Sequence, residues 1–169
     1  MSALRSWERG LAEAYSRSAA AWAGGPERVY ERLASHLVSQ GTRPRPGALG
    51  LDLGAGTGAG SRALAAMGAA PIALDLAHGM LAHDRLARPP GVQGSATCLP
   101  FRAGCFEVVA ACFSLNHLDD PVAGLREVRR VLTRGGTLLA SVYADDDHHP
   151  VKSAVESSLL EVGWQPDGW

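Results

Sequence analysis

The segment from Leu51 to Gly60 constrains the fold of this chain most strongly, because a loop of alternating glycines joins an apolar strand end to an Ala/Leu-rich segment. Glycine has no Cβ, so it permits tight turns and the close approach of backbone to a ligand. A helix that begins after such a loop directs unpaired N–H groups towards the loop. The sequence therefore predicts a strand–loop–helix element that holds a nucleotide.

From residue 48 onwards, predicted strands and helices alternate. The predicted strands are 48–53, 70–74, 92–95, 106–113 and 137–143, and the predicted helices are 59–67, 77–87, 121–132 and 151–162. We expect Gly135-Gly136 to cap the third of these helices, and Val122, Leu125, Val128 and Leu132 to face inward. Such alternation indicates an α/β fold with a doubly wound, mostly parallel sheet, whose ligands bind beyond the carboxyl ends of the strands.

Two further helices are predicted before this region. Apolar residues recur at helical spacing over 3–22, and a second helix follows Gly24-Gly25-Pro26. A Pro/Gly-rich linker ends at residue 47. We therefore expect an N-terminal helical cap over 1–47 and a nucleotide-binding core over 48–169.

Composition excludes several functional classes. The net charge is −1 without a long basic run, which argues against a nucleic-acid surface. No apolar run is long enough for a bilayer, and the N-terminus lacks a signal-peptide core. The three cysteines, Cys98, Cys105 and Cys112, do not form a disulfide framework or a CxxC pair. We expect a cytoplasmic protein with reduced thiols and no membrane partner.

The glycine loop and Asp75 together leave the nucleotide open. Asp75 follows Gly54 by 21 residues, where a carboxylate can accept hydrogen bonds from ribose hydroxyls in two cofactor classes. Residues 54–59 also match the dinucleotide fingerprint. A nicotinamide dehydrogenase has little further support, because Lys152 is the only lysine and no Tyr-x-x-x-Lys pair exists. A turn without any ligand is the remaining alternative.

Five segments in the right order resemble the class I S-adenosylmethionine-dependent methyltransferases, and most closely their ubiquinone/menaquinone-type small-molecule subgroup. These segments are 52–58, 73–81, 96–101, 106–109 and 126–136. The resemblance implies a Rossmann-like fold, S-adenosyl-L-methionine as cofactor and a small-molecule substrate whose O, N or C atom receives the methyl group.

The resemblance also implies a cofactor site at the ends of the first four strands. Its residues are Asp52, Gly54, Ala55, Gly56, Thr57, Gly58, Asp75, Leu76, Met80, Ser95, Ala96, Phe113 and Ser114. Asp75 would bind the ribose, Asp52 the amino group of the methionine part, and Ser95 the adenine edge. His117 would face the substrate as a general base, with Tyr15 as the second catalytic candidate. Tyr15 and Trp22 would belong to a lid.

The chain departs from the family in two places. The resemblance implies an aspartate that reads the adenine amino group where this chain has Ser95, and it implies a C-terminal β-hairpin that we expect to be absent. An open sheet edge favours a homodimer or a partner subunit that supplies the missing strands. The alternative function is therefore a non-catalytic cofactor-binding module, or an incomplete subunit that needs a partner to form the substrate site.

Two polar clusters allow more than one interpretation. Asp145-Asp146-Asp147-His148-His149 contains metal-ligating residue types, but consecutive residues rarely point to one centre, so we predict a solvated loop and no metal site. In the segment 116–120, His117 is either a general base or a hydrogen-bonded loop residue. Asp119 and Asp120 are expected to cap the following helix.

Overall fold

The structure is a computed structural model that describes residues 6–144. Its helices are α1 (Ser6–Gly24), α2 (Glu27–Ser39), α3 (Ala59–Met67), α4 (His78–Ala82) and α5 (Pro121–Val131). Its strands are β1 (Leu49–Leu53), β2 (Ala70–Asp75), β3 (Gly91–Gln93), β4 (Phe106–Cys112) and β5 (Leu132–Ser141). The acidic loop 145–149, the predicted helix 151–162 and the question of a C-terminal hairpin lie outside the described residues.

The five strands form one parallel sheet in the order β3-β2-β1-β4-β5. The chain winds outward from β1 to β3, then crosses to β4 on the other side of β1. This confirms the predicted doubly wound α/β fold. Because all strands run in the same direction, the loops after β1, β2, β3 and β4 meet at one edge, with the switch point between β1 and β4.

Apolar side chains cover both faces of the sheet. One face joins Leu51, Phe106 and Val109 to Val128 of α5. The opposite face joins Val108 and Ala110 of β4 to a set of residues in α2 and α3, namely Ala34, Val38, Ala63, Leu64 and Met67. Since helices pack on both faces, β4 is apolar from Val108 to Cys112, as expected for a central parallel strand.

Helix α4 is shorter than predicted. The expected helix over 77–87 ends at Ala82, because His83 is extended with ψ of 127° and Asp84 adopts a left-handed φ of 48°. Leu86, the only large apolar residue of the predicted helix beyond Ala82, is 97% exposed. Without an apolar face to bury, a further helical turn gains little from packing.

The prediction that Gly135-Gly136 caps the helix before β5 was wrong. Helix α5 ends at Val131 and Leu132 already begins β5, where it pairs with Phe106. The register then shifts, and pairing resumes between Val108 and Thr137. The two glycines therefore lie in an irregular part of the strand, where Gly135 has φ of 81°.

The apolar face of α5 also differs from the prediction. Val122 and Leu125 are 54% and 42% exposed, whereas Val128 is fully buried. The buried stripe consists of Gly124, Val128 and Val131. Gly124 lets the helix approach Leu118, because a Cβ at this position would overlap the Leu118 side chain.

Candidate functional site

The glycine loop, residues 54–58, turns sharply between β1 and α3 at the carboxyl edge of the sheet. The N–H groups of Gly54 and Ala55 both donate to the carbonyl of Leu74 at 2.9 Å, which ties the loop to the end of β2. Gly54 has φ of 71°, and a Cβ at this position would overlap the Cβ of Ser114. Only glycine satisfies both requirements.

Asp75 ends β2 directly beside this loop. Its Oδ2 accepts a hydrogen bond of 2.7 Å from the N–H of Gly56, and its Oδ1 accepts one of 2.8 Å from Ala77. Burial raises the pKa of Asp75, and the hydrogen bonds from Ala77 and Gly56 oppose that change. Each carboxylate oxygen retains acceptor capacity, so the side chain can still bind two neighbouring hydroxyl groups.

Asp52 lies inside the protein, under the first turn of α3. It is 1% exposed, and its Oδ2 accepts a hydrogen bond of 2.7 Å from the hydroxyl of Ser61. A Cβ at Gly60 would overlap Oδ1 of Asp52, so glycine makes room for this carboxylate. Burial raises the pKa of Asp52 to about 6, while the hydrogen bonds from Ser61 and the charge of Arg88 oppose the increase.

Phe113 and Ser114 follow β4 and close the site from the other side of the switch point. Phe113 adopts a left-handed φ of 55°, which is costly for a residue with a bulky side chain. The N–H of Phe113 donates to the carbonyl of Ser141 at 3.0 Å. This turn places the hydroxyl of Ser114 2.6 Å from the carbonyl of Leu53, to which it donates.

Ser95 follows β3 and contacts helix α1. Its hydroxyl donates a hydrogen bond of 3.0 Å to Oε1 of Glu8 and lies 2.9 Å from Oγ1 of Thr97. Glu8 is only 7% exposed, so α1 brings a buried carboxylate to the position predicted for the adenine edge. Ala96, the next residue, is partly buried and packs against the core between the sheet and α5.

Helix α1 packs on α4, over the residues predicted to surround the adenine. Met80 is buried together with Ala19 of α1 and Ala77. The N–H of Gly79 donates to Oγ of Ser16 at 3.0 Å, and the backbone of Ser16 lies so close to Gly79 that a Cβ there would overlap it. Leu76, in contrast, is partly exposed at the sheet edge.

His117 and Tyr15 lie together, although 102 residues separate them in the sequence. His117 ends a single 3₁₀ turn, Leu115–His117, and its Nε2 lies 3.3 Å from the Tyr15 hydroxyl. Burial lowers the pKa of His117, partly opposed by the charge of Asp75. Burial, Tyr30 and Asp75 raise the pKa of Tyr15. At neutral pH the histidine is therefore uncharged and the phenol keeps its proton.

A continuous row of aromatic rings, here called the aromatic wall, runs from α1 to the end of β5. It consists of Tyr15, Trp22, Tyr30, Phe113 and Tyr143, whose successive ring centroids are 4.9–6.1 Å apart. His117 adjoins one end, with its ring 5.6 Å from that of Tyr15. The hydroxyls of Tyr30 and Tyr143 share a hydrogen bond. The wall joins the N-terminal helices to the carboxyl edge of the sheet.

The sequence does not predict Arg88 or Glu8 as site residues. Arg88 directly follows the predicted helix 77–87 and precedes two prolines, yet its Nη1 donates to the carbonyl of Gly56 at 3.1 Å. No local sequence motif predicts that contact, because 32 residues separate Arg88 from Gly56. A signal for Glu8 did exist, because it directly follows Trp7 and lies three residues before Leu11 in α1. A charge beside such apolar residues indicates a buried polar partner.

Two absences concern only residues 6–144. Within that range, no group of three His, Cys, Asp or Glu side chains is arranged to hold a metal ion. None of the helices there combines the length and the apolar character that a bilayer crossing requires.

Comparison with known proteins assigns this site to a family. Residues 51–140 match the model of a methyltransferase domain. A demethylmenaquinone methyltransferase from Mycobacterium sp. (strain KMS) is 36% identical over 138 residues, which cover 82% of this chain. The match spans 58% of that relative's length.

Two solved structures share the fold. A methyltransferase in complex with the Trm112 activator from Haloferax volcanii superposes with a TM-score of 0.65 at 25% identity, over 76% of this chain and 59% of the other. An S-adenosylmethionine-dependent methyltransferase from Methanococcus maripaludis gives a TM-score of 0.61 at 18% identity, over 96% of this chain and 75% of the other.

The glycine loop and Asp75 were compatible with a nicotinamide dinucleotide and with S-adenosylmethionine. The matches favour S-adenosylmethionine, which is the cofactor that the family implies. The residues that match the family model include the glycine loop, Asp75 and the segment from Ser95 to His117. The chain is therefore a member of the class I S-adenosylmethionine-dependent methyltransferases.

Proposed function

We propose that this protein transfers the methyl group of S-adenosylmethionine to a planar, quinol-type small molecule that binds against the aromatic wall. The observation that carries this proposal is the position of His117 at the end of the wall, beside Tyr15. Family membership favours an enzyme over the non-catalytic binding module that the sequence also allowed.

The residues around the glycine loop fit the cofactor. Oγ1 of Thr57 is buried without a hydrogen-bond partner among the described residues, and nothing lies within 4 Å of a Cβ placed on Gly56. Asp75 would hold the ribose hydroxyls through its carboxylate, and Ser95 would contact the adenine edge. When bound, S-adenosylmethionine supplies a methyl group on a positively charged sulfur, which a nucleophile can attack without further activation of the cofactor.

The remaining roles in the cofactor site follow the positions of the side chains. The backbone of 54–58 would lie along the methionine part, with Phe113 and Ser114 on its other side. Met80 and Leu76 would border the adenine, Ala96 would extend that border, and Asp52 would attract the amino group from below the loop. The support is their location near the carboxyl ends of the strands. Leu76, Ala96, Phe113 and Ser114 follow β2, β3 and β4, Asp52 precedes the last residue of β1, and Met80 lies in α4, which begins shortly after β2.

His117 would act as the general base for the methyl acceptor. Its imidazole is uncharged at neutral pH because burial lowers its pKa, so Nε2 can accept a proton from a phenolic hydroxyl. The Tyr15 hydroxyl, 3.3 Å from Nε2, marks where an acceptor hydroxyl would donate. Since the pKa of Tyr15 is raised, this phenol would serve as a hydrogen-bond donor rather than as a base.

Two properties of the wall and the names of relatives support an aromatic acceptor. Its rings offer edges and faces for stacking, and aromatic pairs add about 0.5–1.5 kcal/mol beyond the area that they bury. Tyr143 is 54% exposed, so this end of the wall is accessible from solvent. Relatives that match this chain are named demethylmenaquinone methyltransferases, and a quinol ring agrees with the chemistry of the wall.

Residues 1–47 would form a lid over the cofactor. The support is the packing of α1 on α4 through Ser16 and Gly79, together with the rings that α1 contributes to the wall. Helix α2, however, also belongs to the core beside α3. We therefore expect α1, rather than the whole segment, to move when ligands enter.

Localisation and assembly complete the proposal. Cys98, Cys105 and Cys112 are free thiols, as is usual in the cytoplasm, where we place the protein.

Strand β5 is an edge of the described sheet, and such an edge can pair with a second copy or a partner subunit. Light scattering of the purified chain, alone and in cell extract, would detect either assembly.

The decisive experiment combines binding and turnover. Calorimetry with S-adenosylmethionine, S-adenosylhomocysteine and NAD should detect only the first two, and Asp75→Ala should abolish their binding whereas Asp84→Asn should not. Labelled methyl transfer should then be found with a naphthoquinol and not with an aliphatic amine. Binding of NAD, or turnover of the amine alone, would contradict the proposal.

A further inference from the structure

Arg88 places a guanidinium group against the glycine loop from the segment that follows α4. Its Nη1 donates two hydrogen bonds, one of 2.7 Å to the carbonyl of Met80 and one of 3.1 Å to the carbonyl of Gly56. These two contacts fix the plane of the guanidinium at the loop. The side chain is therefore held in a defined orientation before any ligand binds.

The other side of the same group has no acceptor. Nε and Nη2 of Arg88 are buried, and neither has a hydrogen-bond partner among the residues that the structure describes. Buried donors of a charged group are costly to leave unpaired, so such groups in folded proteins are normally satisfied. The two free N–H groups form one edge of the planar fork, the arrangement that matches a carboxylate.

The surroundings restrict which acceptor can satisfy these donors. Nη2 lies 3.8 Å from the position of a Cβ on Gly58, so the free edge adjoins the glycine loop. Asp52 and Asp75 act on the charge of Arg88, yet neither forms a hydrogen bond with it among the contacts described. A further anionic group at the loop would complete the set.

Arg62, the other arginine beside Gly58, is already satisfied by the protein. Its Nη2 pairs with Glu27 and Glu31 of α2, and its Nη1 donates to the carbonyl of Thr57 at 3.2 Å. Arg88 and Arg62 therefore differ in their hydrogen-bond partners although both lie at the loop. Of these two arginines, Arg88 alone has buried N–H groups without a partner among the described residues.

We infer that Arg88 binds the carboxylate of the methionine part of S-adenosylmethionine, with the Thr57 hydroxyl as a neighbouring donor. The inference rests on the proposed cofactor site, and it makes Arg88 a specificity-determining residue for the amino-acid end of the cofactor. Thr57 Oγ1 is likewise buried and without a partner among the described residues. A carboxylate between these groups would satisfy the buried donors of both side chains.

The test compares two ligands that differ only in this group. Wild-type protein, Arg88→Gln and the matched control Arg85→Gln are titrated calorimetrically with S-adenosylmethionine and with its decarboxylated form. We expect Arg88→Gln to weaken binding of S-adenosylmethionine at least tenfold and to change binding of the decarboxylated form less than twofold. Arg85, an exposed neighbour, should affect neither ligand.

Each contrary result has a distinct meaning. Equal losses for the two ligands, or no loss for either, would overturn the inference and leave the proposed function standing. If wild-type protein bound neither ligand, the proposed function would fail and this inference with it. Should Arg88→Gln not fold, Arg88→Lys retains the charge without the fork, and it should show the same selective loss to a smaller extent.

Discussion

The hydroxyl of Ser61 donates a hydrogen bond of 2.7 Å to Oδ2 of Asp52, which links the first turn of α3 to the buried end of β1. Asp52 immediately precedes the strand end that leads into the glycine loop. The carboxylate is thus surrounded by the element that would hold the cofactor, and its protonation state affects the stability of the fold.

Asp52→Asn should remove a component of pH-dependent stability. Burial raises the pKa of Asp52 from 3.8 to about 6, so the folded protein binds a proton that the unfolded chain releases. This contribution is complete below pH 3.8 and is lost as the pH rises through about 6. At 1.36 kcal/mol for each pKa unit, the loss is about 3 kcal/mol.

Urea unfolding of wild-type protein and Asp52→Asn between pH 4 and 7 measures this contribution. The two proteins should have similar stability near pH 4, and the asparagine variant should be the more stable by about 3 kcal/mol at pH 7. Parallel curves for the two proteins would show that Asp52 is ionised without cost in the folded state.

Gly60→Ala and Gly10→Ala should change stability in opposite directions. A Cβ on Gly60 would lie 2.8 Å from Cγ of Asp52 and overlap Oδ1, so overpacking should cost about 1–3 kcal/mol. At Gly10 of α1 nothing lies within 4 Å of the added atom, and alanine should stabilise the helix by about 0.5–1 kcal/mol. Thermal denaturation of both variants checks the pair. A stable Gly60→Ala protein would mean that Asp52 can move.

The sequence was informative wherever local patterns determine structure. The glycine loop, the strand that ends at Asp75 and the apolar run of β4 depend on residues close together in the chain, and the structure has them where they were predicted. The order of secondary-structure elements then limits the sheet to a doubly wound arrangement.

Long-range contacts explain what was not predicted. Ser95 and Glu8 are 87 residues apart, and Arg88 reaches Gly56 across 32 residues, so no local spacing encodes either contact. Helix α4 is shorter than predicted because Leu86 is exposed and has no apolar surface to pack against. The exposure of Leu86 depends on the rest of the fold and not on the local sequence. Tertiary context overrides local propensity at such positions.

Ser95→Asp introduces the residue that the family resemblance implies at this position. We expect this substitution to lower the stability of the protein. The new carboxylate would face Glu8, a buried carboxylate that now accepts a hydrogen bond from Ser95. Loss of that donor in a buried site should cost about 1–3 kcal/mol of stability and loosen α1.

The double variant Ser95→Asp with Glu8→Gln provides the control. The glutamine amide can donate to the new aspartate, so most of the lost stability and cofactor affinity should return. Denaturation and calorimetry of both single variants and the double variant measure the coupling. If Ser95→Asp alone bound the cofactor more tightly at unchanged stability, Glu8 would not contribute to the adenine edge.

The pH–rate profile of methyl transfer should have an acidic limb that reflects the titration of His117. Burial lowers its pKa below the ordinary 6.5, so activity should rise with pH to a midpoint below 6.5 and be level at neutral pH. His117→Gln should lower kcat about 10²–10⁴-fold and abolish this limb, with unchanged affinity for S-adenosylhomocysteine. Exposed His36, changed to glutamine, is the matched control and should retain the wild-type profile. Tyr15→Phe removes the hydroxyl that lies 3.3 Å from Nε2 but keeps the ring, so the acidic limb should persist in this variant. A limb that persists in His117→Gln would assign the titration to another group and leave His117 a residue of the loop alone.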